Sequence, residues 1–139
     1  HTNWHAQQYA FLSWDRKATP PLANSPATYL YLPDAALKAS RCQAGAAAEL
    51  GLEEWMPGVY TANYRQEQWP GRILRYQNQN TPYKGSLQGG WSIISVNYPE
   101  KPDQIRKKLR CNEDSERFLL ATVDRAGQRW FVTALVDNS

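Results

Sequence analysis

The chain has 139 residues, of which 42% are hydrophobic and 12% aromatic, a composition that predicts one folded domain and excludes a disordered chain. Its 16 basic and 13 acidic side chains leave a net charge of only +3, which argues against a nucleic-acid partner. No run of 18 apolar residues exists, so we expect membrane contact only through a segment before His1 that has been removed or is missing.

The amino-terminal part is expected to begin with a flexible tail at residues 1–6. Between Gln7 and Trp14, apolar residues occupy both faces of an extended segment, which indicates a strand buried on two sides, with a helix as the alternative. Residues 18–27 contain three prolines, whose locked φ angle and missing amide donor predict an irregular surface loop.

A strand and a helix are expected next. Residues 28–32 alternate Tyr and Leu and stop at Pro33, which is typical of a strand. Asp34 can then cap the free amide groups of a helix that we place at residues 35–50, where alanine is plentiful. Gly45 is a possible break that would divide this main helix in two.

Three more strands are predicted at residues 59–64, 72–77 and 91–97, separated by turn and polar segments. Prolines then bracket a short connection into a charged helix at residues 103–110. We interpret the basic side chains of this helix as a solvated face, with positive charge near the helix carboxyl end where the dipole favours it.

The last two strands, residues 118–123 and 129–136, are rich in β-branched and aromatic residues and flank a turn, so they predict an antiparallel hairpin. Strands and helices do not alternate regularly, which favours an α+β fold. We expect an antiparallel sheet of five to seven strands, one main helix packed on a face and a second short helix. Residues 1–139 would form a single globular domain.

Two cysteines, Cys42 and Cys111, stand 69 positions apart, which fits neither a CxxC redox motif nor a four-ligand zinc site. A long-range disulfide or two unrelated buried thiols remain, and we favour the disulfide. Such a bridge would stabilise the fold by roughly 4 kcal/mol on the chain-entropy model. It would also indicate maturation in an oxidising compartment, so we expect a periplasmic or secreted protein.

The stretch from position 69 to position 91 combines flat aromatic rings with amide side chains, which can stack on sugar rings or anchor a protein partner. We predict a partner-binding surface formed by Trp69, Tyr76, Gln77, Asn78, Asn80, Tyr83 and Trp91. The alternative is that Tyr76 and Trp91 belong to the core and that an exposed polar loop lies between them.

Familiar catalytic groups are scarce in this sequence. The two histidines, at positions 1 and 5, lie in the expected tail, which argues against a nucleophile activated by imidazole. A copper site at the amino terminus is conceivable on ligand chemistry, but a mobile end is the simpler interpretation, so we predict no metal and no cofactor. No pattern marks a catalytic pair among the acids considered, which are Glu53, Glu54, Glu67 and Asp124.

These observations together predict an exported, non-enzymatic binding module. It would be an inhibitor, immunity-type or accessory protein that presents a rigid aromatic and polar surface to a protein or glycan partner. Two alternatives stay open, a carboxylate-dependent hydrolase of polysaccharide or peptidoglycan and a subunit of a cell-envelope assembly such as a pilus or secretion apparatus. The sequence contains no Asn-x-Ser/Thr acceptor, which favours a bacterial envelope protein over a glycosylated secretory one.

Overall fold

The structure is a computed structural model that describes residues 18–83, 85–114 and 116–137. The expected tail, the predicted strand at residues 7–14 and both histidines lie outside the described residues. The elements in chain order are β1 Tyr29–Pro33, α1 Ala35–Ser40, α2 Gln43–Glu49, β2 Glu53–Met56, β3 Val59–Ala62, β4 Gly71–Asn80, β5 Ser92–Val96, α3 Pro102–Leu109, β6 Arg117–Val123 and β7 Arg129–Val136.

The seven strands form a mixed sheet in the order β2-β3-β1-β4-β7-β6-β5. The predicted α+β class is confirmed, and the sheet is mostly antiparallel with short helices. One pair departs from the expected antiparallel pattern, because β5 and β6 run parallel. Helix α3 lies between them in the chain, and a crossover through a helix is the usual way to join two parallel neighbours.

The chain divides into two compact units, and the residues of each unit contact mainly one another. These are unit 1 (His1–Ile73) and unit 2 (Leu74–Ser139). Each unit has a hydrophobic cluster of its own. The expectation of one globular domain stays a prediction. Within the described part of the chain, no helix has the length and apolar character that crossing a bilayer requires.

In unit 1, the helix expected at residues 35–50 is broken into α1 and α2 at Arg41. Arg41 adopts a left-handed conformation with φ of 59°. The Ser40 hydroxyl donates a hydrogen bond to the Leu37 carbonyl at 2.8 Å and accepts one from the Cys42 amide at 3.3 Å. The break therefore precedes Gly45, which is buried inside α2. Serine competes for backbone groups and ends the first helix, an effect that the glycine-based prediction missed.

Strand β2 of unit 1 was not predicted from the sequence, and its outer edge is covered by the proline-containing loop. The Ala23 amide donates to the Glu54 carbonyl and the Glu54 amide donates to the Pro21 carbonyl, both at 2.8 Å. Leu22 forms an isolated parallel bridge with Glu54. The irregular loop predicted at residues 18–27 is therefore confirmed, and it satisfies backbone groups of an edge strand.

The core of unit 1 is centred on Trp69, which is 3% exposed. Its ring centroid lies 5.9 Å from that of Tyr31 and 5.6 Å from that of Tyr60. Its indole Nε1 donates a hydrogen bond to the Leu32 carbonyl at 3.0 Å. Burial raises the pKa of Tyr60, with the nearby Glu54 charge as a smaller cause, so this phenol stays neutral in the core.

Unit 2 contains the predicted hairpin of β6 and β7, which is confirmed with Thr122 opposite Trp130 and Phe118 opposite Ala134. The charged helix is also confirmed as α3, and Ile105 and Leu109 form its buried stripe. Helix α3 packs against β5. Together with residues of β5, β6 and β7, these two side chains form the hydrophobic cluster of unit 2.

The predicted disulfide is wrong, because Cys42 and Cys111 are free, buried thiols. Cys42 belongs to the hydrophobic cluster of unit 1, and Cys111 to that of unit 2. A free cysteine behaves there as a small apolar residue. Two cysteines in a sequence carry no information about the separation of their Cα atoms, which decides whether a bridge can form. The predicted periplasmic or secreted location depended on this bridge and stays a prediction without that support.

Candidate functional site

The seven residues predicted to bind a partner are distributed over both units. Trp69 is a core residue of unit 1. The other six belong to unit 2, where Tyr76, Gln77, Asn78 and Asn80 lie on β4, Tyr83 follows it and Trp91 immediately precedes β5. Whether they contact a partner stays a prediction.

The residues of β4 surround a β-bulge at Gln77. Tyr76 pairs with Ala134 but Asn78 pairs with Thr133, so Gln77 is the extra residue of the strand. Gln77 and Asn78 are exposed, while Tyr76 is half-buried. A bulge of this kind bends a strand and changes the direction of its side chains.

At the end of β4, the structure brings Asn80 and Tyr83 together. The Asn80 amide Nδ2 donates a hydrogen bond to the Tyr83 hydroxyl at 3.1 Å. The Tyr83 ring meets Phe131 of β7 edge-on, with 5.4 Å between ring centroids. Tyr83 is thus anchored by its ring and its hydroxyl, and it stays partly exposed.

Trp91 is half-buried at the amino end of β5 and is fixed on three sides. Its backbone amide donates to the Asn112 carbonyl at 2.8 Å. Its indole Nε1 donates to the Gln88 carbonyl at 3.1 Å. The guanidinium carbon of Arg117 lies 4.5 Å from the centre of the indole ring, within the range of a cation–π contact.

Arg117 approaches Trp91 through a gap left by Gly89. Its Nε donates a hydrogen bond to the Gly90 carbonyl at 3.1 Å, and the Asp114 carboxylate lies 3.8 Å from that nitrogen. A Cβ atom on Gly89 would lie 2.1 Å from a terminal nitrogen of Arg117. The guanidinium therefore occupies space that only glycine leaves open. Sequence reasoning did not connect Arg117 with Trp91, although the Gly-Gly-Trp triplet at residues 89–91 was the available signal.

Arg106 of α3 reaches the same segment. Its terminal nitrogen NH1 donates to the Trp91 carbonyl at 3.2 Å, and its other terminal nitrogen lies 3.9 Å from Glu113. Lys107 and Arg110 are exposed, and no carboxylate pairs with them among the described residues. The guanidinium groups of Arg106 and Arg117 keep donors that could bind the oxygens of an incoming carboxylate or another anion.

Three of the four acidic residues considered for hydrolysis have structural contacts. Glu67 pairs with Arg65 at 2.7 Å, and Glu54 accepts a hydrogen bond from the Gly58 amide at 3.4 Å. Asp124 accepts hydrogen bonds from Trp130 and from two amides of its own turn, and these donors, Trp130 first, lower its pKa. Within the described ranges, no three His, Cys, Asp or Glu side chains are grouped so that they could hold a metal ion.

Comparison with known proteins finds no matching family model and no matching curated protein. Among solved structures, the chain is similar to the crystal structure of a "putative methyltransferase from Porphyromonas gingivalis W83", with a TM-score of 0.74 and 21% sequence identity. The likeness covers 88% of this chain and 33% of that one, so the chain spans about a third of its neighbour's length. At this identity the likeness shows a shared fold.

The predicted function is corrected by these findings. An exported, non-enzymatic inhibitor or binding module is not supported, because the solved structure that this chain resembles is described as an enzyme and the disulfide that suggested export is absent. The same structural neighbour, described as a methyltransferase, lends no support to the two alternatives, a polysaccharide hydrolase and an envelope-assembly subunit.

Proposed function

We propose that this chain is one domain of an enzyme that transfers methyl groups, and that it positions the substrate of that enzyme. The observation that carries this proposal is the match of 88% of the chain to a third of a much longer protein described as a methyltransferase. A domain that accounts for a third of an enzyme can bind and orient a substrate while another part performs the transfer.

The sheet supports placing the methyl donor outside this chain. A nucleoside-type donor such as S-adenosylmethionine is suited to the crevice at the carboxyl ends of strands in a doubly wound parallel sheet. Here the only parallel pair among the described strand pairs is β5 with β6. The segment around Trp91, with Arg106 and Arg117 already held in place, is the part best suited to contact a substrate or the remainder of the enzyme.

The test is photochemical labelling of the native protein. The natural gene product that contains this sequence is purified from its source together with the proteins bound to it and irradiated with S-adenosylmethionine that carries a tritiated methyl group. We expect label in the purified material, on polypeptide outside residues 18–137. Label within residues 18–137 would contradict the assigned role, and absence of both label and methyl transfer would contradict the enzyme itself.

A further inference from the structure

We propose that unit 2 binds a small phosphate monoester on the face of its sheet that carries α3, between Arg75 and Arg117. The floor site, as we call it, consists of five side chains of unit 2, which are Arg75, Asn78, Arg117, Thr133 and Leu135. The ligand would place its phosphate between the two arginines and its hydroxyl groups against Asn78 and Thr133. Binding at this site does not depend on the proposed role in methyl transfer.

Strand register brings the two arginines into one row. Leu135 of β7 pairs with Arg75 of β4 on one side and with Arg117 of β6 on the other. Paired residues of neighbouring strands lie on the same face of a sheet, so the three side chains stand next to one another. Since adjacent strands are about 4.8 Å apart, the Cα atoms of the two arginines are roughly 10 Å from each other. An anion bound beside Leu135 can therefore contact both guanidinium groups.

The β-bulge at Gln77 adds Asn78 to the same face. Thr133 lies two positions before Leu135 on β7 and pairs with Asn78, so this pair forms a second row beside the arginines. Asn78 is three positions after Arg75, and in a regular strand their side chains would lie on opposite faces. The extra residue of the bulge reverses that alternation. The Asn78 side chain has no hydrogen-bond partner among the described residues, so its amide can bind a ligand.

The floor site is accessible and has an apolar centre. Arg75 and Asn78 are exposed and Leu135 is half-buried, while Thr133 is 7% exposed and forms the bottom of the site. Helix α3 shares a hydrophobic cluster with Leu119, so it covers the neighbouring part of this face. An apolar surface with a few polar groups around it is the usual composition of a small-molecule site.

The two arginines differ in how firmly they are held. Arg117 is fixed by the Trp91 ring and the Gly90 carbonyl, and its terminal nitrogens have no hydrogen-bond partner among the described residues. The Asp114 carboxylate lies 3.8 Å from its Nε, too far for a hydrogen bond. The exposed Arg75 side chain forms no ion pair with any described residue. One preset guanidinium and one free guanidinium can therefore bind an anion from two sides.

A phosphate monoester matches these groups better than other common anions do. It has a charge of about −1.5 to −2 at pH 7 and three free oxygens, which suits two guanidinium groups. A carboxylate or a phosphodiester has one charge and two free oxygens, so it would leave one of the two cations unneutralised. A nucleic acid is usually bound along a basic groove, whereas the row of the floor site contains two cations beside a leucine.

The probe is glycerol 3-phosphate, titrated by calorimetry into the natural full-length protein that contains this sequence. We expect saturable binding with a Kd below about 1 mM. Glycerol should not bind, because it lacks the phosphate. Dimethyl phosphate, which has a single charge, should bind at least about tenfold more weakly than the monoester.

Variants of the protein assign the binding to the floor site. Arg75→Gln and Arg117→Gln should each weaken binding of glycerol 3-phosphate about tenfold, and Asn78→Ala about fivefold, as expected for one neutral hydrogen bond. Lys107→Gln removes the same charge from the exposed side of α3 and should leave the affinity unchanged. Since Arg75 is exposed, its replacement tests the site without disturbing the fold.

Three results would overturn the proposal. These are the absence of saturable binding, equal binding of dimethyl phosphate, and unchanged affinity in Arg75→Gln or Arg117→Gln. A single-stranded oligonucleotide that displaces the probe at a lower concentration than inorganic phosphate does would also overturn it, because the two arginines would then belong to a nucleic-acid surface.

Discussion

Two tryptophans illustrate how differently the two units use the same residue type. Trp69 lies in the core of unit 1 between two tyrosine rings, with its indole nitrogen bonded to a backbone carbonyl. Trp91 of unit 2 stays half-buried and carries an arginine on its ring. Both were predicted to belong to one aromatic interface. Aromatic content alone therefore does not distinguish a residue that packs in the core from one that contacts charged groups at the surface.

The outer strands of the two units also differ, in how the backbone groups at their outer edges are paired. Backbone groups of β2 in unit 1 are satisfied by the loop at residues 21–23. Strand β5 of unit 2 has a ladder partner on one side within the described chain. Among the described residues, the loop pairs with the middle of β2, whereas β5 has a second neighbour only before its amino end, where Asn112 bonds to the Trp91 amide.

Replacing each tryptophan should give the largest difference between the units. Trp69→Ala removes a fully enclosed ring and leaves a cavity, so we expect a loss of about 3–5 kcal/mol in the free energy of unfolding. Trp91→Ala removes a half-buried ring together with its cation–π contact, which by itself is worth about 0.5–1 kcal/mol, so the loss should be smaller than at Trp69. Denaturant unfolding of both variants measures this, and equal losses would remove the distinction between a core and a surface tryptophan.

Alanine substitutions at Gly71 and Gly89 should lower the free energy of unfolding by less than Trp69→Ala does, and by different amounts in the two units. A Cβ atom on Gly71 would lie 2.1 Å from the Leu32 carbonyl oxygen, and backbone cannot move aside easily. Gly71→Ala should therefore lower the free energy of unfolding by about 1–3 kcal/mol. At Gly89 the obstacle is the flexible end of Arg117, so the cost should be about 1 kcal/mol, mostly from the positive φ of 87°.

The readouts of the two glycine variants should also differ. Gly89→Ala displaces Arg117 from the Trp91 ring and should therefore shift the indole NMR signal of Trp91, whereas Gly71→Ala should affect stability alone. NMR spectra of both variants at a temperature where both are folded test this. An unchanged Trp91 signal in Gly89→Ala would contradict the assigned position of Arg117.

The smallest expected effect concerns the hairpin turn of unit 2. Hydrogen bonds from Trp130 and from turn amides lower the pKa of Asp124, so the charged carboxylate is favoured in the folded state. This contribution is fully present above the pKa of the unfolded chain, about 3.9, and is lost as pH falls through the lower folded value. The free energies of unfolding of wild type and Asp124→Asn should differ at pH 7, and this difference should shrink as pH falls below about 3.9 and vanish below the lowered folded pKa. A pH-independent difference would contradict this assignment.

Local patterns in the sequence predicted most of the elements. The hairpin at residues 118–136 and the helix at residues 102–109 were recognised because their signals, β-branched residues around a turn and an apolar stripe, depend on near neighbours. The helix break was predicted at Gly45 but lies at Arg41. The Ser40 hydroxyl bonds to backbone groups and ends the first helix before the glycine is reached. Strand β2 was missed because it is short and its pairing partners are other segments.

The candidate site was predicted only in part. Trp91, Asn80 and Tyr83 were named from composition, and the structure brings the last two into contact. Arg106 and Arg117 were interpreted as solvated charges, because they are 15 and 26 positions away from Trp91 in the chain.

Short-range patterns were enough to predict the α+β class and the positions of most strands, since alternation, capping and turn chemistry act over a few residues. The parallel pairing of β5 with β6, the two free thiols and the arginine stacked on Trp91 are visible only in the folded chain. These features depend on distances between segments far apart in the chain, and such distances are set by the packing of the whole fold.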